Sequence, residues 1–170
     1  MPPPARSDYA KETALHKAIE VAQRRFAHGE LADLVIAADT VVDLGGEVLE
    51  KPEGEQGATS MLSRLSGSQH QVHTGVALIL PRATDPSLGV SPRVCSFAET
   101  TTVDFAPLSP ELIAAYVATG EPLGKAGAYG IQGVAGSFVK RIQGCYFNVV
   151  GLPLHRTTAE IARLIDDGAL

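Results

Sequence analysis

The chain reads as an α/β protein, with helices flanking one sheet in layers. Apolar residues recur at helical spacing in residues 8–27, 55–66 and 109–120, while residues 34–42, 71–80 and 94–105 are apolar and β-rich. These periods alternate along 170 residues that are 45% hydrophobic and 19% charged, the balance of a globular domain. No internal repeat or composition break divides the chain, so residues 1–170 read as one domain.

After a loose Pro-rich lead (1–7), Ser7 or Asp8 is placed to cap a helix running to about Ala27. Leu15, Ala18, Ile19, Ala22 and Phe26 fall on one face, and Gly29 stops it. "LVIAADTVV" (34–42) predicts a strand buried on both faces, and "DLGGEVL" (43–49) a reversal around Gly45-Gly46. A second helix over 55–66 turns Ala58, Met61, Leu62 and Leu65 inward and ends at Gly67. Two long strands follow, separated by a turn-rich segment (81–93) with three prolines, the segment expected to be mobile. "SPELIAAYVATG" (109–120) has Ser109 as cap, Pro110 at the first helical position and Gly120 as stop. "SFVKRI" and "CYFNVVGL" read as short strand-like pieces, and a final amphipathic helix spans about Pro153 to Asp167. No strand precedes the first helix, which is unusual for this class.

Net charge is −5 and no basic cluster exceeds Arg24-Arg25, which argues against a nucleic-acid partner. The sequence has no apolar run of membrane-spanning length, and "MPPPARSDYA" lacks the apolar centre of a secretory signal. Cys95 and Cys145 have no metal-ligand spacing and read as reduced thiols of a cytoplasmic protein.

Asp39 interrupts an apolar strand, where an unpartnered carboxylate is costly. It either ends the strand and caps the next turn, or faces a ligand cleft at a strand terminus. Lys17 and Lys51 each read as solvated surface charge or as anion contacts. Lys125 lies in "GKAGAYGIQG" (124–133), where glycines fall every third residue through Gly136. The spacing fits neither a Walker loop nor a dinucleotide fingerprint, since "GEPLGKA" has three residues between its glycines and Ala126 cannot hold magnesium. His70 and His73, three apart on a strand, point to opposite faces and do not form a metal pair. No Gly-x-Ser-x-Gly elbow is present.

In order along the chain, "ETALHKA" (12–18), "AADTVV" (37–42), "LEKP" (49–52), "MLSRLSGSQHQVHTGVAL" (61–78), "GEPLGKAGAYGIQG" (120–133) and "NVVGLPL" (148–154) resemble the Maf family of nucleotide pyrophosphatases. The likeness extends to the Maf-like domain that some animal proteins carry fused to an acetylserotonin O-methyltransferase-like domain. It implies a Maf/inosine-triphosphatase-like mixed twisted sheet flanked by helices. Family members begin with a strand and a Ser-x-Ser-Pro-Arg-Arg loop; "MPPPARSDYA" has neither, so the resemblance implies a fold truncated at its N-terminus.

The implied activity is hydrolysis of dTTP and UTP, or of modified pyrimidine nucleotides, to the monophosphate and pyrophosphate, cleaning the nucleotide pool. Asp39 matches the family's general base. Thr40 and Gln132 match base-selecting positions, and Lys17, Lys51 and Lys125 match lysines of the triphosphate site. The resemblance further implies a divalent cation (Mg2+, with Mn2+ or Co2+ as alternatives), a nucleoside triphosphate partner and a homodimer. Gly124 stands where the family usually has aspartate. With the missing loop, this opens a second reading: a catalytically impaired module with a dimerisation or regulatory role.

Overall fold

The structure, a computed structural model, describes residues 6–30, 32–84 and 92–170, with backbone alone for 82–84. Its elements are α1 (Arg6–Ala27), β1 (Val35–Leu44), β2 (Glu47–Leu49), α2 (Gly54–Leu65), β3 (Gln69–Thr84), β4 (Pro92–Phe105), α3 (Pro110–Val117), β5 (Val139–Gln143), α4 (Tyr146–Val150) and α5 (Leu154–Asp166). Two 3-10 turns, Ala126–Ala128 and Val134–Phe138, lie between α3 and β5. Among the described residues the sheet has five strands in the order β2-β1-β3-β4-β5, with β1–β2 and β4–β5 antiparallel. The expected α/β class holds.

The chain forms two compact units, one of Met1–Asp39, Thr74–Glu99 and Leu152–Leu170, the other of Thr40–His73 and Thr100–Gly151. Each is assembled from separate stretches of sequence, and β1, β3 and β4 contribute residues to both.

In the first unit α1 buries Ala10, Ala14 and Ala18 completely, a stripe of small side chains four residues apart. This corrects the expected face in part: Ala18 is buried and Leu15 and Ala22 pack against the cluster, but Ile19 is 36% and Phe26 70% exposed. The reason is close approach. A Cβ on Gly75 of β3 would lie 2.3 Å from the Ala10 carbonyl carbon and the Lys11 nitrogen, so helix and strand backbones meet where only alanine and glycine fit. Ala77 and Ile79 join this cluster, while Val76, Leu78 and Leu80 pack with Phe97 and Leu164. The alternation shows β3 buried on both faces. The Arg156 guanidinium lies 4.6 Å from the Phe97 ring centre, and its Nη1 donates to the Ala98 carbonyl.

In the second unit the β1–β2 hairpin turns through Gly45 (φ 62°) and Gly46 (φ 92°), and the Gly46 amide donates to Asp43 Oδ1 at 2.7 Å. α2 buries Ala58, Leu62 and Leu65, with partly buried Met61 beside them, as its spacing predicts. Ser109 Oγ caps α3 by accepting the Leu112 amide at 3.2 Å. Phe105, Tyr116, Tyr129 and Phe138 fill the remaining core with edge-on ring contacts.

Four further expectations are corrected. β1 is not buried on both faces, since Ile36 is 45% exposed. α1 starts at Arg6, inside the expected loose lead, whose residues 1–5 lie outside the described residues. The segment 81–93 is shortened from both ends because β3 runs through Thr84 and β4 begins at Pro92; residues 85–91 lie outside the described residues. "CYFNVVGL" is helical at Tyr146–Val150 rather than extended. There the buried Asn148 donates to the Val72 carbonyl at 2.9 Å and to Thr101 Oγ1 at 3.0 Å. Thr101 Oγ1 also accepts the Cys145 amide and donates to the Cys145 carbonyl. This side-chain lattice fixes a helical turn that the short run YFNVV could not signal by itself.

Candidate active site

Asp39 is the fifth residue of the ten-residue β1, in mid-strand rather than at the strand end that both sequence readings assumed. Its side chain is 17% exposed, and Lys17 Nζ lies 2.5 Å from Oδ1. Lys17 comes from the rim of the buried α1 stripe, next to Ala18, and is itself 53% exposed. A shielded carboxylate is thus met by a flexible ammonium open to solvent, which satisfies the charge yet leaves the cation able to reorient toward an anion. Lys17 is therefore more than solvated surface charge.

The residue after Asp39, Thr40, opens the second unit's sequence. Its Oγ1 lies 3.5 Å from the position a Cβ would take on Gly151, at the end of α4. Lys51 is exposed just beyond β2. The Gly127 amide donates to the Glu50 carbonyl at 3.1 Å, which sets the segment carrying Lys51 beside the segment carrying Lys125. Gly127 has φ 66°, and a Cβ there would come within 2.8 Å of Val42 Cγ2, so glycine is required both by conformation and by its seat on β1. Ala128 follows with φ 61°, a left-handed non-glycine residue buried in the core.

Lys125 Nζ donates to the Glu121 carbonyl at 2.5 Å, and its chain lies across Gly130. Gln132 is exposed in a turn closed by the Gly133 amide on the Gly130 carbonyl at 3.1 Å. The structure therefore pairs Lys17 with Asp39 in one unit and, in the other, holds Lys51, Lys125 and Gln132 on segments tied to one another. Gly124 has φ 79°, and a Cβ built there would meet nothing within 4 Å.

His70 and His73 have separate partners, as their spacing on a strand requires. His70 Nε2 bonds the Tyr129 hydroxyl at 2.8 Å, and burial pushes its pKa down to about 4, leaving a neutral ring. His73 Nδ1 bonds Thr100 Oγ1 at 2.9 Å; burial lowers its pKa too, opposed by Asp43. The Tyr129–His70 bond pins the glycine-rich segment to β3. Neither this pin nor Glu121 was found from the sequence: an acidic residue just after a helix-stopping glycine was the available signal for Glu121.

A family model described as Maf-like protein matches residues 2–164. The chain belongs to the Maf-like family. Among Maf-like relatives, a human "probable bifunctional dTTP/UTP pyrophosphatase/methyltransferase protein" is 48% identical over 157 residues, which is 92% of this chain and 25% of that protein. A dTTP/UTP pyrophosphatase of Clostridium perfringens is 48% identical over 148 residues, 87% of this chain and 71% of the relative. Another, from Geobacillus sp., is 52% identical over 130 residues, 76% of this chain and 64% of the relative. The chain thus spans a quarter of the human relative and roughly two thirds of the bacterial Maf-like ones.

Proposed function

We propose that this chain is a nucleoside triphosphate pyrophosphatase that hydrolyses dTTP and UTP to the monophosphate and pyrophosphate. Asp39 is the general base: it takes a proton from water as the water oxygen bonds to the α phosphorus and the bridging bond to the β phosphate breaks. Pyrophosphate leaves with the electron pair. The observation that carries this reading is the Lys17–Asp39 pair, a shielded carboxylate whose mobile lysine can release it for the incoming anion. Close identity to relatives named dTTP/UTP pyrophosphatases supports the nucleotide class. Lys17, Lys51 and Lys125 offset the triphosphate charge, while Thr40 and Gln132 face the base, Gln132 offering a donor and an acceptor to one pyrimidine edge.

Among the described residues no cluster of three or more His, Cys, Asp or Glu side chains could hold a metal. A donor set without such a cluster fits a divalent cation, for which we propose Mg2+, that would enter chelated to the triphosphate and be held by its phosphate oxygens, leaving Asp39 as the base. When bound, that cation neutralises phosphate charge. The proposal includes a homodimer acting in the cytoplasm; no described helix is long and apolar enough to cross a membrane.

Pyrophosphate release from dTTP and UTP with magnesium is the test. Wild type is expected to turn over both, and Asp39→Asn to lose roughly 10²–10⁴-fold in kcat. Absence of release by wild type would overturn the reading.

A further inference from the structure

Glu121 makes more contacts to the glycine-rich segment than any role so far requires. Its carboxylate accepts the Tyr116 hydroxyl at 3.0 Å on Oε1 and the Val134 amide at 3.2 Å on Oε2. Its backbone carbonyl accepts Lys125 Nζ at 2.5 Å. Gly133 presses against the carboxylate so closely that a Cβ would lie 2.1 Å from Oε1. One residue therefore grips α3 through Tyr116, the start of the segment through Lys125 and its end through Gly133-Val134. Gln132 lies two residues before the gripped Val134 amide, inside the turn closed by the Gly133 amide on the Gly130 carbonyl.

We propose that Glu121 is a positioning residue that fixes the distance between Lys125 and Gln132, and so between the phosphate contact and the base contact, without touching the nucleotide. This deepens the pyrophosphatase reading and rests on it. The contacts require hydrogen-bonding groups of this reach rather than negative charge. A glutamine at this position keeps both: its carbonyl oxygen accepts the Val134 amide while its amide donates to the Tyr116 oxygen. A carboxylate used as a base or metal ligand would not survive that exchange, whereas a brace does. The Tyr116 side chain is held protonated, its pKa pushed well up by burial and by Glu121, so it stays available as donor.

The test is steady-state kinetics with dTTP and CTP on wild type, Glu121→Ala, Glu121→Gln and Tyr116→Phe. Glu121→Ala keeps the backbone carbonyl that holds Lys125 but frees the Gly133-Val134 end, so Gln132 shifts relative to Lys125; KM for dTTP rises about tenfold and the preference for dTTP over CTP shrinks about tenfold, with kcat within about threefold. Glu121→Gln stays within about threefold of wild type on both measures, and Tyr116→Phe falls between. The proposal is overturned if Glu121→Ala keeps KM and preference within about twofold of wild type, or if Glu121→Gln loses as much as Glu121→Ala. Should wild type itself hydrolyse neither dTTP nor UTP, the function reading fails on its own, and amide exchange then decides the brace. Faster exchange at Gly133 and Val134 in Glu121→Ala, by about tenfold with β3 unchanged, sustains it; unchanged exchange overturns it.

Discussion

At the scale of single residues, the Lys17–Asp39 pair joins two groups that each looked ambiguous in the sequence. Asp39 was legible as costly, because a carboxylate among apolar strand residues needs a reason. What the sequence hid was its partner, 22 positions away on a helix whose buried face was read only in part. Lys17→Ala is expected to lower kcat/KM for dTTP by about ten- to a hundredfold, through lost charge stabilisation. Steady-state kinetics of Lys17→Ala beside wild type checks this.

At the scale of elements, two close contacts dictate composition. Gly75→Ala places a methyl group on the α1 backbone and is expected to cost about 2–3 kcal/mol, read as a lowered midpoint of urea unfolding. Gly127→Ala meets both a left-handed φ and the Val42 side chain, and is expected to cost a similar amount, about 2–3 kcal/mol. Val42→Ala alone leaves a cavity, but it relieves the contact. The double variant is therefore expected to be less destabilised than the two single losses predict, by about 1 kcal/mol. The same contacts explain what could be read in advance. α2, α3 and the hairpin at Gly45-Gly46 were legible because caps, stops and inward spacing are local signals. The buried face of α1 was legible only in part: of Leu15, Ala18, Ile19, Ala22 and Phe26, the first two and Ala22 pack on the core, but a backbone-to-backbone approach at Gly75 centres the face on Ala10, Ala14 and Ala18 and leaves Ile19 and Phe26 outside. α4 was missed for a related reason, since Asn148 draws its turn closed through Thr101 and Val72, residues distant in sequence.

At the scale of the whole molecule, acid is expected to unfold the chain through its buried histidines. His70 has a folded pKa lowered from 6.5 to about 4, and His73 is lowered as well. A lowered folded value means that the unfolded chain binds protons first. The contribution of His70 is therefore fully present above about pH 6.5 and is lost as pH falls toward 4, amounting to roughly 3 kcal/mol. Urea unfolding at pH 7.5 and 4.5 checks this; His70→Gln is expected to lose less stability between the two, with the residue due to His73. If wild type and His70→Gln lose the same amount, the burial argument is wrong. The α/β class and the order of most elements were legible throughout, because hydrophobic period survives in a single sequence. How a glycine-rich segment is braced was not, since Glu121 reaches Val134, and Tyr129 reaches His70, only through tertiary packing.

That bracing also bears on how fast a nucleotide is captured. The segment from Gly127 to Val134 is fastened to Glu50, His70 and Glu121 by bonds within the protein itself, so little remains to be ordered on encounter. Stopped-flow mixing with a fluorescent pyrimidine triphosphate is expected to show one exponential phase, with a rate that climbs linearly with concentration. A rate that levels off would reveal a slow rearrangement preceding or following capture, and a latch that opens where a fixed wall is drawn.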